Sequence, residues 1–271
     1  LAIKDFNEAI RLNSKYAYAY IGRGNAYSSR GNTNNNKDDY KLAIKDFNEA
    51  IRLNSKYAYA YIGRGNAYSS RGDANNNKDD YELAIKDFNE AIRINSKYAY
   101  AYIGRGNAYS SWGDANNNKD DYELAIKDFN EAIRLNSKYA YAYIGRGNAY
   151  SSRGNTNNNK DDYKLAIKDF NEAIRINSKY AYAYNGRGNA YSSRGNANNN
   201  KDDYELAIKD YNEAIRLNPK YTYAYTNRGY AYKNKGRKDK AVEDFKKVLE
   251  LKDNIELSRE AEQQLQELSP K

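Results

Sequence analysis

The sequence predicts an all-α solenoid, a row of stacked helical hairpins in which each repeat contacts mainly its neighbours. Two observations lead to this fold class. A long motif returns at a fixed interval along the chain, and each interval contains two stretches with helical periodicity. Neither stretch could bury its apolar stripe alone, whereas stacking of successive repeats buries both.

The repeated motif is LAIKDFNEAI, and near identity of its copies indicates tandem duplication. It begins at Leu1 and returns every 41 residues at Leu42, Leu83, Leu124 and Leu165. It reads LAIKDYNEAI from Leu206, and a diverged copy, KAVEDFKKVL, follows from Lys240 after only 34 residues. Every repeat should therefore present nearly the same surface.

The first helix of a repeat, helix A, is predicted over Ser14 to Gly31. Ala17, Tyr20, Gly24 and Tyr27 follow one another at spacings of 3, 4 and 3 residues, which is one stripe of an amphipathic helix. Gly31 is the expected C-cap, since glycine enters the left-handed conformation without a Cβ penalty.

The second helix, helix B, is predicted over Asp39 to Asn54, with its stripe on Leu42, Ala43, Phe47, Ala50 and Ile51. Asp38 or Asp39 is the expected N-cap, and copies such as Asp79 to Glu82 hold a complete capping box. The segment between the two helices, Asn32 to Asp38, is expected to be a solvated, Asn-rich loop.

The repeats predict the division of the whole chain. We expect an orphan helix B in residues 1–13, five 41-residue repeats in 14–219, a 34-residue repeat in 220–253, and a capping helix with a tail in 254–271. This gives six A helices, seven B helices and a closing segment from Asn254 to Leu268. The chain starts without Met in mid-motif, so we expect it to be a fragment.

These motifs resemble the tetratricopeptide repeat (TPR). Its pattern of aromatic, x2, Leu-Gly, x2, Tyr, then Ala-x3-Phe, then Pro is similar to Tyr20-x2-Arg23-Gly24-x2-Tyr27 and Ala43-x3-Phe47. The terminal repeat fits at Tyr225, Arg228-Gly229, Tyr232, Ala241 and Phe245. Arg replaces the usual Leu, Ser55 and its equivalents replace Pro except at Pro219, and seven residues are inserted between the helices. The resemblance implies a right-handed superhelix whose A helices line a concave groove that binds proteins.

Arg23 stands at a position that faces the partner helix. A half-buried guanidinium needs a carboxylate, and Asp46 lies on that helix. We therefore expect Arg23 to pair with Asp46, Arg64 with Asp87, and so on along the chain.

Composition argues against several classes of function. The chain has no Cys and no His, which removes thiolate and imidazole chemistry and the usual zinc sites, so we expect no enzyme activity, cofactor or metal. Although 40% of the residues are hydrophobic, no apolar run is long enough for a membrane span. The net charge of +9 raises the question of nucleic acid, but the basic residues alternate with Asp and Glu outside the expected groove. We expect no nucleic-acid or membrane partner, and the compartment stays unknown.

The predicted groove face of helix A combines Tyr, Ile, Asn and Ser at spacings of 3, 4 and 3, with Gly22 and Ser29 beside it. An Asn amide can bond both groups of an extended backbone, Tyr supplies a large apolar face, and Gly22 should leave room. Tyr16, Tyr20 and Tyr27 are assigned to the core. The predicted site residues are Tyr18, Ile21, Asn25, Ser28, Tyr59, Ile62, Asn66, Ser69, Tyr100, Ile103, Asn107, Ser110, Tyr141, Ile144, Asn148, Ser151, Tyr182, Asn185, Asn189 and Ser192.

Three functional hypotheses follow. The first is a scaffold that binds an extended peptide or disordered segment in the groove. The second is a structural spacer, or an array that forms homo-oligomers by end-to-end stacking, because the first B helix lacks an A partner. The third is an array that recruits substrates for a catalytic domain preceding Leu1.

Overall fold

The computed structural model describes residues 2–34, 36–75 and 77–268; Leu1 of the expected orphan helix and the tail residues 269–271 lie outside them. The described chain is all-helical, and its helices belong to two compact units, Leu1–Ser137 and Lys138–Lys271. The first unit holds α1 (Ala2–Leu12), α2 (Ala17–Asn34), α3 (Lys37–Leu53), α4 (Ala58–Asn75), α5 (Lys78–Ile94), α6 (Ala99–Asn116) and α7 (Lys119–Leu135). The second holds α8 (Ala140–Asn157), α9 (Lys160–Ile176), α10 (Ala181–Asn198), α11 (Lys201–Leu217), α12 (Thr222–Asn234), α13 (Lys238–Leu251) and α14 (Ile255–Leu268).

The described helices follow the predicted alternation of six A helices (even numbers, α2 to α12), seven B helices (odd numbers, α1 to α13) and a closing helix. Within each unit every A helix packs against the B helix of its own repeat, and each A helix that has a preceding B helix in its unit packs against that one too. Successive A helices of a unit also contact one another, whereas the described B helices of a unit do not. The A helices therefore line the inner side of each unit.

Helix A ends three residues later than predicted, and Gly31 is not its cap. Gly31 is buried inside α2, where an added Cβ would lie 2.9 Å from Cε1 of Tyr40. In later repeats the left-handed C-cap is an asparagine with φ 51°, at Asn117, Asn158 and Asn199. Gly31 is thus explained by close packing of a ring, and asparagine adopts the positive φ.

The inserted segment is mostly helical, so the prediction of a loop is wrong for its described residues, although most of these residues are exposed to solvent as predicted. In the second unit, α8 and α9 have 18 and 17 residues, against 13 and 14 in α12 and α13, which lack the insertion. The insertion therefore lengthens both helices and leaves a short connection. Residues 35 and 76 of two insertions lie outside the described residues.

The N-cap of helix B is an asparagine and not the predicted aspartate. Asn77 Oδ1 accepts from the Asp79 N–H at 3.1 Å, so the capping box from Asp79 to Glu82 does not form. Asn159 caps α9 in the same way, at 3.1 Å from the Asp161 N–H. Asp39 binds a guanidinium instead of an amide, as shown below.

The core of each repeat is built around an aromatic residue of helix B, which is Phe in every repeat but the fifth, where it is Tyr211. Phe47 is fully buried between Gly24 of its own repeat and Gly63 of the next, where an added Cβ would lie 3.0 Å and 2.4 Å from the ring. Gly22 packs in the same way against Phe6, at 2.4 Å. The expectation that Gly22 leaves room in the groove is therefore wrong, because the ring of the preceding B helix fills that space.

The predicted pairing of Arg23 with Asp46 is confirmed. Nε and Nη2 of Arg23 donate to the two carboxylate oxygens at 2.8 and 2.7 Å. The same bidentate pair joins Arg64 to Asp87, Arg105 to Asp128, Arg146 to Asp169, Arg187 to Asp210 and Arg228 to Asp244.

Two further contacts of this arginine were not predicted. Nη1 of Arg23 donates to Asn7 of the preceding B helix at 2.7 Å, and the guanidinium lies 5.6 Å from the centre of the Tyr20 ring. In the next repeat, burial raises the pKa of Asp87, and the Arg64 guanidinium opposes that rise. The arginine thus joins successive repeats as well as the two helices of its own repeat.

A second arginine row holds the inserted segment. Arg30 makes a bidentate pair with Asp39, which is 1% exposed, and the guanidinium lowers the pKa of Asp39. The pair recurs at Arg71 with Asp80, Arg153 with Asp162 and Arg194 with Asp203.

The third repeat is the exception. Trp112 replaces the arginine, Asp121 forms no ion pair with a described guanidinium, and burial raises its pKa. Asp121 can therefore be compared with the aspartates of the other repeats, which pair with an arginine.

The closing helix α14 covers the end of the second unit. Leu257 and Ala261 are buried against α12 and α13, and the Tyr230 hydroxyl donates to Glu260 at 2.6 Å. Glu262 and Gln263 lie on the opposite, exposed side. The expected polar-backed capping helix is present.

Candidate binding face

The inner side of each unit exposes two of the four predicted residue types, Tyr and Asn. Tyr18 and its equivalents in the other repeats are between 51% and 61% exposed. The asparagines at positions 25, 66, 107 and 148 are exposed and make no side-chain hydrogen bond with a described residue. Their amides are therefore available to a ligand.

The Ile and Ser positions lie below this surface. Ile21, Ile62 and Ile103 are 9% exposed, and Ile144 is half-buried. The hydroxyl oxygens of the predicted serines are buried without a hydrogen-bond partner in the described chain, at Ser28, Ser69, Ser110 and Ser151. These residues form the floor of the face and do not present polar groups to solvent.

The fifth 41-residue repeat has a different face. Tyr211 stands where other repeats have Phe, and its hydroxyl donates to Asn189 Oδ1 at 2.8 Å. Asn185, at the position of Ile21, is 7% exposed and accepts from Asn227 at 3.2 Å. Tyr182 remains exposed in this repeat, but both asparagines already have partners within the chain.

The exposed tyrosines occur in pairs, which the sequence analysis missed. The rings of Tyr18 and Tyr57 have centroids 5.0 Å apart and planes inclined by 40°. Equivalent pairs are Tyr59 with Tyr98, Tyr141 with Tyr180 and Tyr182 with Tyr221, each with a 5.0 Å separation. A hydrogen bond with Tyr57 raises the pKa of Tyr18.

The second tyrosine of each pair belongs to the row assigned to the core. Tyr57 is half-buried, Tyr16 is 49% exposed, and only Tyr221 is buried. The assignment of Tyr16 to the core is therefore wrong, and its equivalents form the outer edge of the face. The spacing Tyr-Ala-Tyr at the start of helix A was the available signal.

A pocket of about 300 Å³ lies beside the first pair of tyrosines. Tyr18 and Ile21 of α2 form one wall, and Tyr59 of α4 with Tyr98 forms another. Lys56, in the turn before α4, lines the same pocket and makes no ion pair with a described carboxylate. The pocket thus combines aromatic walls with one positive charge.

No group of three or more carboxylates that could hold a metal ion occurs among the described residues. None of the described helices is both long and apolar enough to cross a membrane.

Comparison with known families identifies the repeat. The model described as "TPR repeat" matches residues 113–154, 154–195 and 195–236, and two models described as "Tetratricopeptide repeat" match residues 24–57, 58–98 and 222–254. The chain belongs to the tetratricopeptide repeat family. Such repeats generally mediate protein–protein interactions, and most proteins built from them are scaffolds without enzymatic activity.

Solved structures of other TPR proteins share the fold. A TPR protein of Parabacteroides merdae is 20% identical, covers 98% of this chain and 91% of its own, and superposes with a TM-score of 0.70. The APC/C hetero-tetramer Cut9–Hcn1 contains a chain that is 17% identical with a TM-score of 0.73, and this protein spans 45% of it. A thermophilic TPR protein of Thermus thermophilus is 18% identical over 74% of this chain and 99% of its own, with a TM-score of 0.60. A search of curated protein sequences found no significant match.

Proposed function

We propose that the chain is a scaffold that binds an extended peptide or disordered segment along the A helices. The observation that carries the proposal is the exposed asparagine of the A helices, at positions 25, 66 and 107 in the first unit and 148 in the second, whose amides have no partner in the described chain. An amide with a free donor and acceptor can pair with the N–H and C=O of an extended backbone, whatever its side chains are.

The neighbouring tyrosines support the same function. An exposed phenol presents an apolar face and a polar tip at modest entropic cost, as in many protein-binding surfaces. On each A helix the exposed tyrosine precedes the asparagine by two helical turns, and the position between them on that face is Ile21 or its equivalent, so binding would depend on backbone hydrogen bonds and apolar contact.

The proposal is tested with a displayed library of random 12-residue peptides selected against the whole chain. The best binder is then synthesised, labelled and titrated by fluorescence anisotropy against a triple variant with alanine at Asn66, Asn107 and Asn148. We expect a loss of affinity of at least about tenfold, because interface side chains that matter cost more than about 1.4 kcal/mol on truncation.

The matched control is alanine at Asn34, Asn75 and Asn157, which are exposed at the ends of A helices. This variant should bind as the wild type does, and both variants should keep their helicity by circular dichroism. Undiminished affinity in the groove variant, or a library without any binder, would overturn the proposal.

The end-to-end alternative is less well supported. A second copy would have to bring its exposed α1 against α14, whose outer side carries Glu262, Gln263 and Gln266. A charged and polar outer side is typical of a capping helix that ends a solenoid.

A further inference from the structure

We propose that the tyrosine pairs bind an acidic, proline-rich segment in the polyproline II conformation, with one turn of the ligand at each repeat. The proposal rests on the proposed function, since it names the chemistry of the extended chain that the A helices would hold.

Successive tyrosine pairs form the walls of a preformed apolar slot. In the first unit the two rings of each pair touch, with centroids 5.0 Å apart, and the pocket of about 300 Å³ is lined both by Tyr18 with Tyr57 and by Tyr59 with Tyr98. The turn that carries Tyr57 is held by Asn54, whose Oδ1 accepts from the Lys56 N–H at 2.9 Å. Each slot thus exists before a ligand arrives, which lowers the entropic cost of binding.

Proline fits such slots for a physical reason. Its ring is apolar and compact, and grooves lined with aromatic side chains recognise proline-rich chains in the polyproline II form. That conformation has no internal hydrogen bonds, so its carbonyl groups remain available as acceptors for donors on the A helices, such as the tyrosine hydroxyls.

The repeat distance selects this conformation. Packed helices lie about 8–10 Å apart, and the A helices of each unit are in direct contact. A polyproline II chain advances about 3.1 Å per residue and returns to the same side every three residues, roughly 9.3 Å. A β-strand returns to the same side after about 6.6 Å and an α-helix after about 5.4 Å, so neither places one side chain at each repeat.

The charge beside the slots favours acidic residues in the ligand. Lys56 lines the first pocket, and Lys97 occupies the equivalent position before α6; both are exposed, and neither is paired with a described carboxylate. One positive charge at each repeat complements one carboxylate in every three ligand residues. Such exposed contacts should weaken as salt is added.

The test uses three fluorescein-labelled 12-residue peptides, (Pro-Pro-Glu)4, (Pro-Pro-Lys)4 and (Gly-Ser-Glu)4, titrated into the whole chain at low salt. The first has the conformation and the charge, the second only the conformation, and the third only the charge. We expect (Pro-Pro-Glu)4 to bind at least about tenfold more tightly than either of the others, in line with the loss of one interface anchor.

Variants at the slot tyrosines distinguish the contribution of the aromatic ring to binding from that of the hydroxyl. The double variant Tyr18→Ala with Tyr59→Ala should lose at least about tenfold in affinity, whereas Tyr18→Phe with Tyr59→Phe should stay within about twofold, because the apolar faces remain. Lys56→Ala should weaken (Pro-Pro-Glu)4 and remove part of its salt dependence.

Equal binding of (Pro-Pro-Glu)4 and (Gly-Ser-Glu)4, or full binding by the alanine variant, would overturn the inference. If library peptides without proline bind through Asn66, Asn107 and Asn148 while (Pro-Pro-Glu)4 does not, the scaffold function stands and only this inference fails.

Discussion

At the scale of single residues, near-identical repeats act as a set of natural variants in one chain. Arg30, Arg71, Arg153 and Arg194 each pair with a buried aspartate, whereas Trp112 leaves Asp121 without a guanidinium. Arg30 lowers the pKa of Asp39, whereas burial raises the pKa of Asp121. The same carboxylate therefore stabilises one repeat and costs stability in another.

This contrast predicts opposite effects of one substitution. Because the folded-state pKa of Asp121 is raised, its favourable contribution is present below the unfolded value of about 3.9 and is lost as the pH rises through the folded value. Asp121→Asn should therefore raise the free energy of unfolding at pH 7 by roughly 0.5 kcal/mol, and by less at pH 3.5. Asp162→Asn should lower it by about 1.5–3 kcal/mol, because Arg153 loses its partner.

Urea denaturation at the two pH values measures both variants. A loss of stability in Asp121→Asn at pH 7, equal to that in Asp162→Asn, would contradict the prediction.

One contact of Arg23 was predictable from the sequence, and another was not. Asp46 was predictable as the partner of Arg23, since a half-buried guanidinium requires a carboxylate and Asp46 lies on the facing helix. Asn7 was not, because its contact with Arg23 depends on how closely the preceding B helix approaches, which the pattern of one repeat does not contain.

At the scale of helices, the existence and order of the elements followed from periodicity, but their ends did not. Seven inserted residues rich in asparagine resemble a loop by composition, yet they extend both helices because Arg30, Tyr40 and Asn32 tie the extensions together.

The sequence predicted four groove-facing positions on each helix A, whereas the structure exposes only two of them. Helix A packs against two B helices and its neighbouring A helices, so only the Tyr and Asn positions remain exposed. The row of Tyr57 was assigned to the core because the predicted helix A included it, whereas α4 begins one residue after Tyr57.

The asparagine at the end of helix A predicts a local difference between two adjacent sites. Asn158 has φ 51°, which alanine adopts only at a cost, whereas Asn157 is the last residue of the helix. Asn158→Ala should lower the free energy of unfolding by about 1 kcal/mol. Asn157→Ala, the matched control, should leave it unchanged or raise it by a few tenths of a kcal/mol, roughly the difference in helix propensity. Chemical denaturation compares the two, and equal losses would refute the assignment of the cap.

At the scale of the whole molecule, the two compact units end differently. The first begins with α1, which has no buried residue among those described, and the second ends under α14. A solenoid gains its stability from contacts between neighbouring repeats, so a helix that covers the last repeat of a unit adds stability to that repeat. In the second unit α14 provides this cover.

Removal of α14 is predicted to destabilise the second unit. A chain that stops after Asp253 uncovers Phe245 and Val248, both 0% exposed when the helix is present, and leaves Tyr230 without Glu260. We expect a lower midpoint in thermal circular dichroism and self-association in sedimentation at rising concentration, since exposed apolar patches promote association. A chain shortened only by residues 269–271 is the control. An unchanged melt in the longer deletion would contradict the capping role.

Trp112 also gives the first unit a fluorescence signal of its own. It is the only tryptophan among 271 residues with 31 tyrosines, and it lies in the first unit, packed against the buried cluster around Phe88. Its fluorescence therefore reports on that unit alone, whereas the far-ultraviolet signal reports on all helices. Recording both during one unfolding experiment measures directly whether the two units lose their structure together or in separate steps, without any label or mutation.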